Sequence, residues 1–171
     1  VFRGGFTLDA AFSVAQTGLP TILRLVEHSL VQVGTGRYEV HELLRQFAAE
    51  HLAADSEEHA AVEARHSAFY LGYVAQRAQR ITHNEPREAA AEIHAEIDNI
   101  GHAWHWAARH AQLGLLERST AVVWFFVLSS GLYAVGEQWF GAAVEALQNG
   151  RHGRRFVADD PQQYEQVLST L

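Results

Sequence analysis

The 171-residue chain contains no cysteine and no methionine, and all 13 of its basic residues are arginine. Without cysteine it has no disulfide framework and no thiolate ligand for a metal. Without lysine it has no Gly-x-x-x-x-Gly-Lys-Ser/Thr loop, so it cannot cradle a nucleotide phosphate in the P-loop manner. Without methionine it lacks a start residue of its own, and a piece of a longer product is expected. Long apolar runs are also missing. The longest, Ala121 to Leu128, falls far short of the roughly 20 residues a membrane helix needs. A cytoplasmic location is the expectation.

What is present points to a folded protein. Hydrophobic residues make up 48% and charged residues 19% of the chain, the balance of a globular domain. The net charge of -7 is spread evenly, about -2, -3 and -2 over residues 1–55, 56–112 and 113–171. Nucleic-acid binding draws much of its affinity from neutralised phosphates, so an evenly acidic chain is a poor candidate for it.

The first part of the chain reads as two short helices, a hairpin and a third helix. Thr7 can cap a helix carrying Asp9 in its first turn, with Leu8, Ala11, Phe12 and Ala15 at helical spacing and Gly18 as its stop. Pro20 suits the opening turn of a second helix, whose buried stripe would be Ile22, Leu23, Leu25, Val26 and Leu30. Leu30 to Val33 and Arg37 to Val40 alternate β-formers around Gly34-Thr35-Gly36, which predicts a hairpin. From His41 to Leu52 the pattern is helical again, with Leu43, Leu44, Phe47, Ala48 and Leu52 on one side. Helix, helix, two-stranded wing and helix form the latter part of a winged-helix domain, and its first helix is expected to precede Val1.

Three blocks in this part, Phe2 to Phe6, Leu25 to Leu30 and Tyr38 to Ala48, resemble the winged-helix domain of STAND-type signalling ATPases. That group includes bacterial regulators built on NB-ARC modules. Val40-His41-Glu42 occupies the place of the family's Met-His-Asp motif, with Val and Glu replacing Met and Asp. The resemblance implies that His41 contacts the β-phosphate of ADP in the intact parent and helps hold its closed state. The nucleotide, ADP or ATP, would bind an upstream nucleotide-binding domain of the parent, so no cofactor is expected in this chain. The other reading of His41, from spacing alone, is that it caps the helix it precedes.

The remainder reads as paired helices. Ser56-Glu57-Glu58 opens a helix bearing Val62, His66, Phe69, Tyr70, Tyr73, Val74 and Ile81, and Asn84-Glu85-Pro86 interrupts it. A second long helix is predicted from Arg87 to His110, with Ile93, Ile97, Ile100 and Trp104 in its stripe. Ala121 to Ser130 is apolar nearly all round, which predicts burial between neighbours. Beyond it, Gly131, Tyr133, Gly136, Phe140 and Ala143 resemble a tetratricopeptide-type helical hairpin in their spacing, and Pro161 to Leu171 would start another. Glu96 to Ile100, followed by Trp104 and Trp106, resembles the helix that opens the sensor region of bacterial STAND regulators.

Other chemistries were weighed against the same residues. His94, Asp98, His102 and His105 share a helix face and could offer metal ligands, but they flank an apolar stripe and read as its solvated edge. His41-Glu42-Leu43-Leu44-Arg45 begins like a zinc-protease motif, yet Arg45 stands where the second His is required. Ser129, Ser130 and Ser169 lie in no Gly-x-Ser-x-Gly turn, so no catalytic residue is assigned. Arg151-His152-Gly153-Arg154-Arg155, the one basic cluster, reads as a solvated loop. A DNA-binding regulator is the main alternative: its recognition helix would present Thr21, Arg24, Glu27 and His28, a single firm cation beside an acid. A stand-alone peptide-binding scaffold is a third possibility.

The expectation is therefore a mostly α chain with two domains. A winged-helix-like domain over residues 1–55, lacking its first helix, would precede a tetratricopeptide-like α-solenoid over residues 56–171. Its function would be regulation and sensing within a signalling ATPase, without catalysis of its own. Its partners would be the upstream nucleotide-binding domain and a protein or peptide trigger on the repeats, with nucleic acid disfavoured and no membrane.

Overall fold

The computed structural model describes residues 1–149 and 161–170. The chain is mostly helical, with one two-stranded antiparallel hairpin. It divides into two compact units, Val1–Phe69 and Tyr70–Leu171. The division falls inside a helix, not at the predicted boundary after residue 55. Part of the reason is Arg65: its Nε donates to the Val14 carbonyl at 2.8 Å and its Nη2 to Glu58 at 2.9 Å, which ties this stretch to the first unit.

In the first unit, α1 (Leu8–Ala15) is capped by Thr7, whose hydroxyl oxygen accepts from the Ala10 N–H at 3.2 Å. It ends at Gln16, which takes a left-handed conformation. Gly18 then serves as the N-cap of α2 (Leu19–Glu27) and not as the stop of α1. The second helix closes at His28, before the predicted Leu30, because Ser29 turns the chain with φ +56°. Only Ile22 of its predicted stripe is buried. The hairpin pairs β1 (Gln32–Val33) with β2 (Tyr38–Glu39), shorter than the alternation suggested. A bridge not foreseen from the sequence extends it: Phe6 donates to the Tyr38 carbonyl at 2.9 Å and accepts from its N–H at 2.8 Å. Phe2, Phe6 and Tyr38 stack in series, with centroids 4.5 and 5.8 Å apart.

Helix α3 (Glu42–Ala54) forms where the periodicity places it, and none of its residues is buried. Leu43 is 68% exposed and Phe47 58% exposed. In this unit Phe6, Ala11, Val14, Ile22, Val31 and Val62 are buried on the hairpin and the helices. Between them lies a half-open cavity of about 630 Å³ with mainly apolar walls.

Helix α4 (Ser56–Ala75) gives way to a π-helical turn at Arg80–Asn84, so it does not run on through Ile81. Arg77 and Arg80 converge on Glu92: Arg77 Nε donates to Oε2 at 2.8 Å and Arg80 Nη2 to Oε1 at 2.7 Å. The helix predicted from Arg87 to His110 is broken in two, α5 (Pro86–Ala95) and α6 (Ile97–Arg109). The break falls at Glu96, where the backbone leaves helical geometry and the buried carboxylate accepts from Asn99 Nδ2 at 3.0 Å.

The remaining helices are α7 (Leu113–Ser129), α8 (Tyr133–Asn149) and α9 (Pro161–Thr170). Alternate helices are neighbours: α6 lies along α8, and α7 along α9, while α7 also meets both α6 and α8. Trp104 fixes the first of these contacts, its indole N–H donating to the Trp139 carbonyl at 3.0 Å and its ring meeting Phe140 edge-on. Two glycines permit the close approach. A Cβ on Gly101 would sit 2.7 Å from the Trp139 ring, and one on Gly136 would sit 2.6 Å from Val127 Cγ1. The apolar run in α7 is buried on one side only, since Trp124 is 51% exposed and Phe125 and Leu128 are also exposed. We expect Gly101→Ala and Gly136→Ala each to lower stability by about 1–3 kcal/mol, through overpacking at the helix contacts. Denaturant midpoints unchanged from the parent would contradict this packing.

Candidate functional site

The hairpin delivers the chain to the one residue singled out for function. After Tyr38–Glu39 the half-buried Val40 leads into His41, which is the N-cap of α3. Its backbone is extended, with ψ +138°, and its Nδ1 accepts from the Leu43 N–H at 3.3 Å. An imidazole can accept at Nδ1 only when that nitrogen is unprotonated, so in the neutral ring the proton sits on Nε2. The ring is exposed, and Nε2 has no hydrogen-bond partner among the described residues. The capping role weighed from spacing is thus present. It occupies one ring nitrogen and leaves a donor on the other.

Glu42, in the first turn of α3, is held by a fork. Arg45 Nε donates to Oε2 at 2.7 Å, Arg45 Nη2 to Oε1 at 2.6 Å, and Gln46 Nε2 to Oε1 at 2.8 Å. These bonds, Arg45 first and Gln46 next, pull the Glu42 carboxyl down to about 2 from an ordinary 4.5. The same pairing raises the Arg45 guanidinium above its usual value. The carboxylate also lies at the positive end of the helix, where its charge is favoured. Glu and Arg three apart on a helix are standard neighbours, so the spacing of Glu42 and Arg45 permits this fork.

His94, Asp98, His102 and His105, read from the sequence as a solvated edge, do not converge. His94 and Asp98 are exposed and sit on different helices, α5 and α6. His105 Nδ1 is 2.6 Å from the Gly101 carbonyl, an intrahelical partner. Among the described residues no three His, Cys, Asp or Glu side chains come together as a metal group. Thr21, Arg24, Glu27 and His28 of the DNA-binding alternative are all exposed. The Arg151-His152-Gly153-Arg154-Arg155 cluster lies outside the described residues. No helix among the described residues is long and apolar enough to cross a membrane. The chain matches no family model, no curated protein and no solved structure.

Because its folded value lies below the ordinary one, the Glu42 carboxylate stabilises α3 above about pH 4.5 and loses that effect as the pH falls toward 2. Side-chain carbon shifts followed by NMR should place the Glu42 titration near pH 2, and Arg45→Ala should return it toward 4.5. A midpoint near 4.5 in the unmodified chain would refute the fork.

Proposed function

We propose that this chain is a non-catalytic regulatory and sensor portion of a STAND-type signalling ATPase. In this reading the first unit relays nucleotide state, and the helices of the second receive a protein or peptide trigger. The observation that carries it is the junction at His41. Its side chain is oriented by the cap to Leu43, and its outward Nε2 can donate to a phosphate oxygen brought by a nucleotide-binding domain. The three sequence blocks that resemble the family support the same assignment, with His41 inside the third.

The second unit suits a repeat array. Its alternate helices are neighbours, which is how stacked helical hairpins bury a continuous core. Exposed Trp124, Phe125 and Tyr133 around the α7–α8 turn offer apolar surface to a protein partner.

The test separates the two nitrogens of His41. In this chain, His41→Ala should cost no more than about 1 kcal/mol, since it removes only an exposed cap. In a parent protein carrying the nucleotide-binding domain, it should also remove a hydrogen bond to charged phosphate worth about 1.5–3 kcal/mol. ADP should then dissociate about ten- to a hundredfold faster. A destabilised chain together with unchanged ADP release would reduce His41 to its cap and sink the assignment.

A further inference from the structure

A hollow in the second unit lies along one row of α7 side chains. Ala78, Gln79 and Thr82, at the entry to the π-helical turn, face Ala121 and Val122 of α7 around an open space of about 190 Å³. Its walls are almost wholly apolar, and the one hydroxyl among them, on Thr82, donates to the Ala78 carbonyl at 2.8 Å. Pockets that enclose small molecules run to about 300–1,000 Å³. This hollow is too small and too open for a metabolite, and its size suits a single side chain of a protein segment.

The row beside it has a definite chemistry. Arg118, Ala121, Val122 and Phe125 stand at helix positions i, i+3, i+4 and i+7, so they follow one another along one side of α7. Val122 is buried and forms the floor, while Arg118 and Phe125, both exposed, stand one turn before and one turn after it. Glu117 and Trp124 belong to the opposite flank, about 100° around the helix from Arg118 and Phe125. Arg118 Nε donates to the Gly114 carbonyl at 2.9 Å, and its terminal nitrogens meet no carboxylate among the described residues. Arg45, Arg65, Arg77 and Arg80, by contrast, are each tied to a glutamate. No wall residue of the hollow is acidic. At physiological salt, charges more than about 8 Å away are largely screened, so Arg118 and not the net charge of the chain sets what this row attracts.

We propose that the row is a docking site for a protein segment carrying an aliphatic side chain and a carboxylate about one helical turn, ~5 Å, apart. The aliphatic group fills the hollow against Ala121 and Thr82, Phe125 covers it, and the carboxylate pairs with Arg118. The apolar anchor supplies affinity, and the charge pair fixes the orientation of the segment. The inference names the chemistry of the trigger and rests on the reading that the second unit receives one.

The probe is a displayed library of random short peptides, selected on the 171-residue chain at physiological salt and, in parallel, on Arg118→Glu. Peptides enriched on the unaltered chain should pair Leu, Ile or Val with Asp or Glu three or four positions away. On Arg118→Glu the acid should give way to Lys or Arg. An enriched peptide, followed by fluorescence anisotropy, should bind at least about tenfold more weakly after Arg118→Glu, Phe125→Ala or Ala121→Trp, the last of which fills the hollow. Ala121→Leu takes its place should Ala121→Trp fail to fold. Enriched peptides without an acid, or an affinity indifferent to Arg118→Glu, would overturn the docking chemistry and leave the second unit a receiver of another kind. No enrichment at all would overturn both. A dimer of the chain that Ala121→Trp dissociates would assign the hollow to a second copy and equally overturn the proposal. None of these readouts involves nucleotide, so the ADP-release test of His41 is decided separately.

Discussion

The bridge between Phe6 and Tyr38 is the constraint on which the first unit turns. Two backbone hydrogen bonds, 2.9 and 2.8 Å, fasten the amino end to the second strand of the hairpin, and the stack of Phe2, Phe6 and Tyr38 seals them from one side. Tyr38 is therefore held by Val33 of β1 and by Phe6 together. Val40 and His41 follow at once, so the point where α3 begins is fixed by that three-way pairing and not by burial of the helix. This explains how α3 can have a defined start although none of its residues is buried. It also places the amino end in the cavity wall.

The second unit is organised by a different rule, close approach between helices with the larger side chains interlocked. Gly101 lets the Trp139 ring lie on α6, and Trp104 returns an indole hydrogen bond to the Trp139 backbone. Burying an indole N–H without a partner is costly, so this bond also fixes the register of α6 against α8. Gly136 performs the same service between α8 and Val127 of α7. At the π-helical turn, Glu92 is gripped by Arg77 and Arg80, and Arg80 in turn holds Glu85 at 2.8 Å. That network joins the irregular segment to α5 beside the buried Ile81, Ala89 and Ile93.

Much of this order was legible in the sequence, and the gaps have physical causes. Gly34-Thr35-Gly36 between β-formers marked the hairpin, and Thr7 marked the start of α1, because turns and caps are written in local chemistry. The break at Glu96 was hidden because Ile93, Ile97 and Ile100 keep helical spacing through it. The feature that sets it apart, a buried carboxylate bonded to Asn99, is tertiary. Leu43, Leu44, Phe47, Ala48 and Leu52 share one side of α3 as their periodicity indicates, but periodicity sets a face and not its burial, and Leu43 and Phe47 are exposed. The same limit applies to Trp124 on α7, where an apolar run proved one-sided. At the candidate site, His41 was reached through resemblance and its cap through spacing. The fork on Glu42 could have been found from the three-residue separation of Glu and Arg.

His41 gives one ring nitrogen to the cap of α3 and keeps a donor on the other, and its proton position distinguishes that arrangement from every other. Two-bond nitrogen–proton correlation NMR on the ¹⁵N-labelled chain, with the ring neutral, reads that position directly. A proton on Nε2, with Nδ1 accepting from Leu43, is the predicted result, and it leaves a fixed outward donor. A proton on Nδ1, or rapid averaging between the two tautomers, would show that the cap does not orient the ring and would contradict the account at its centre.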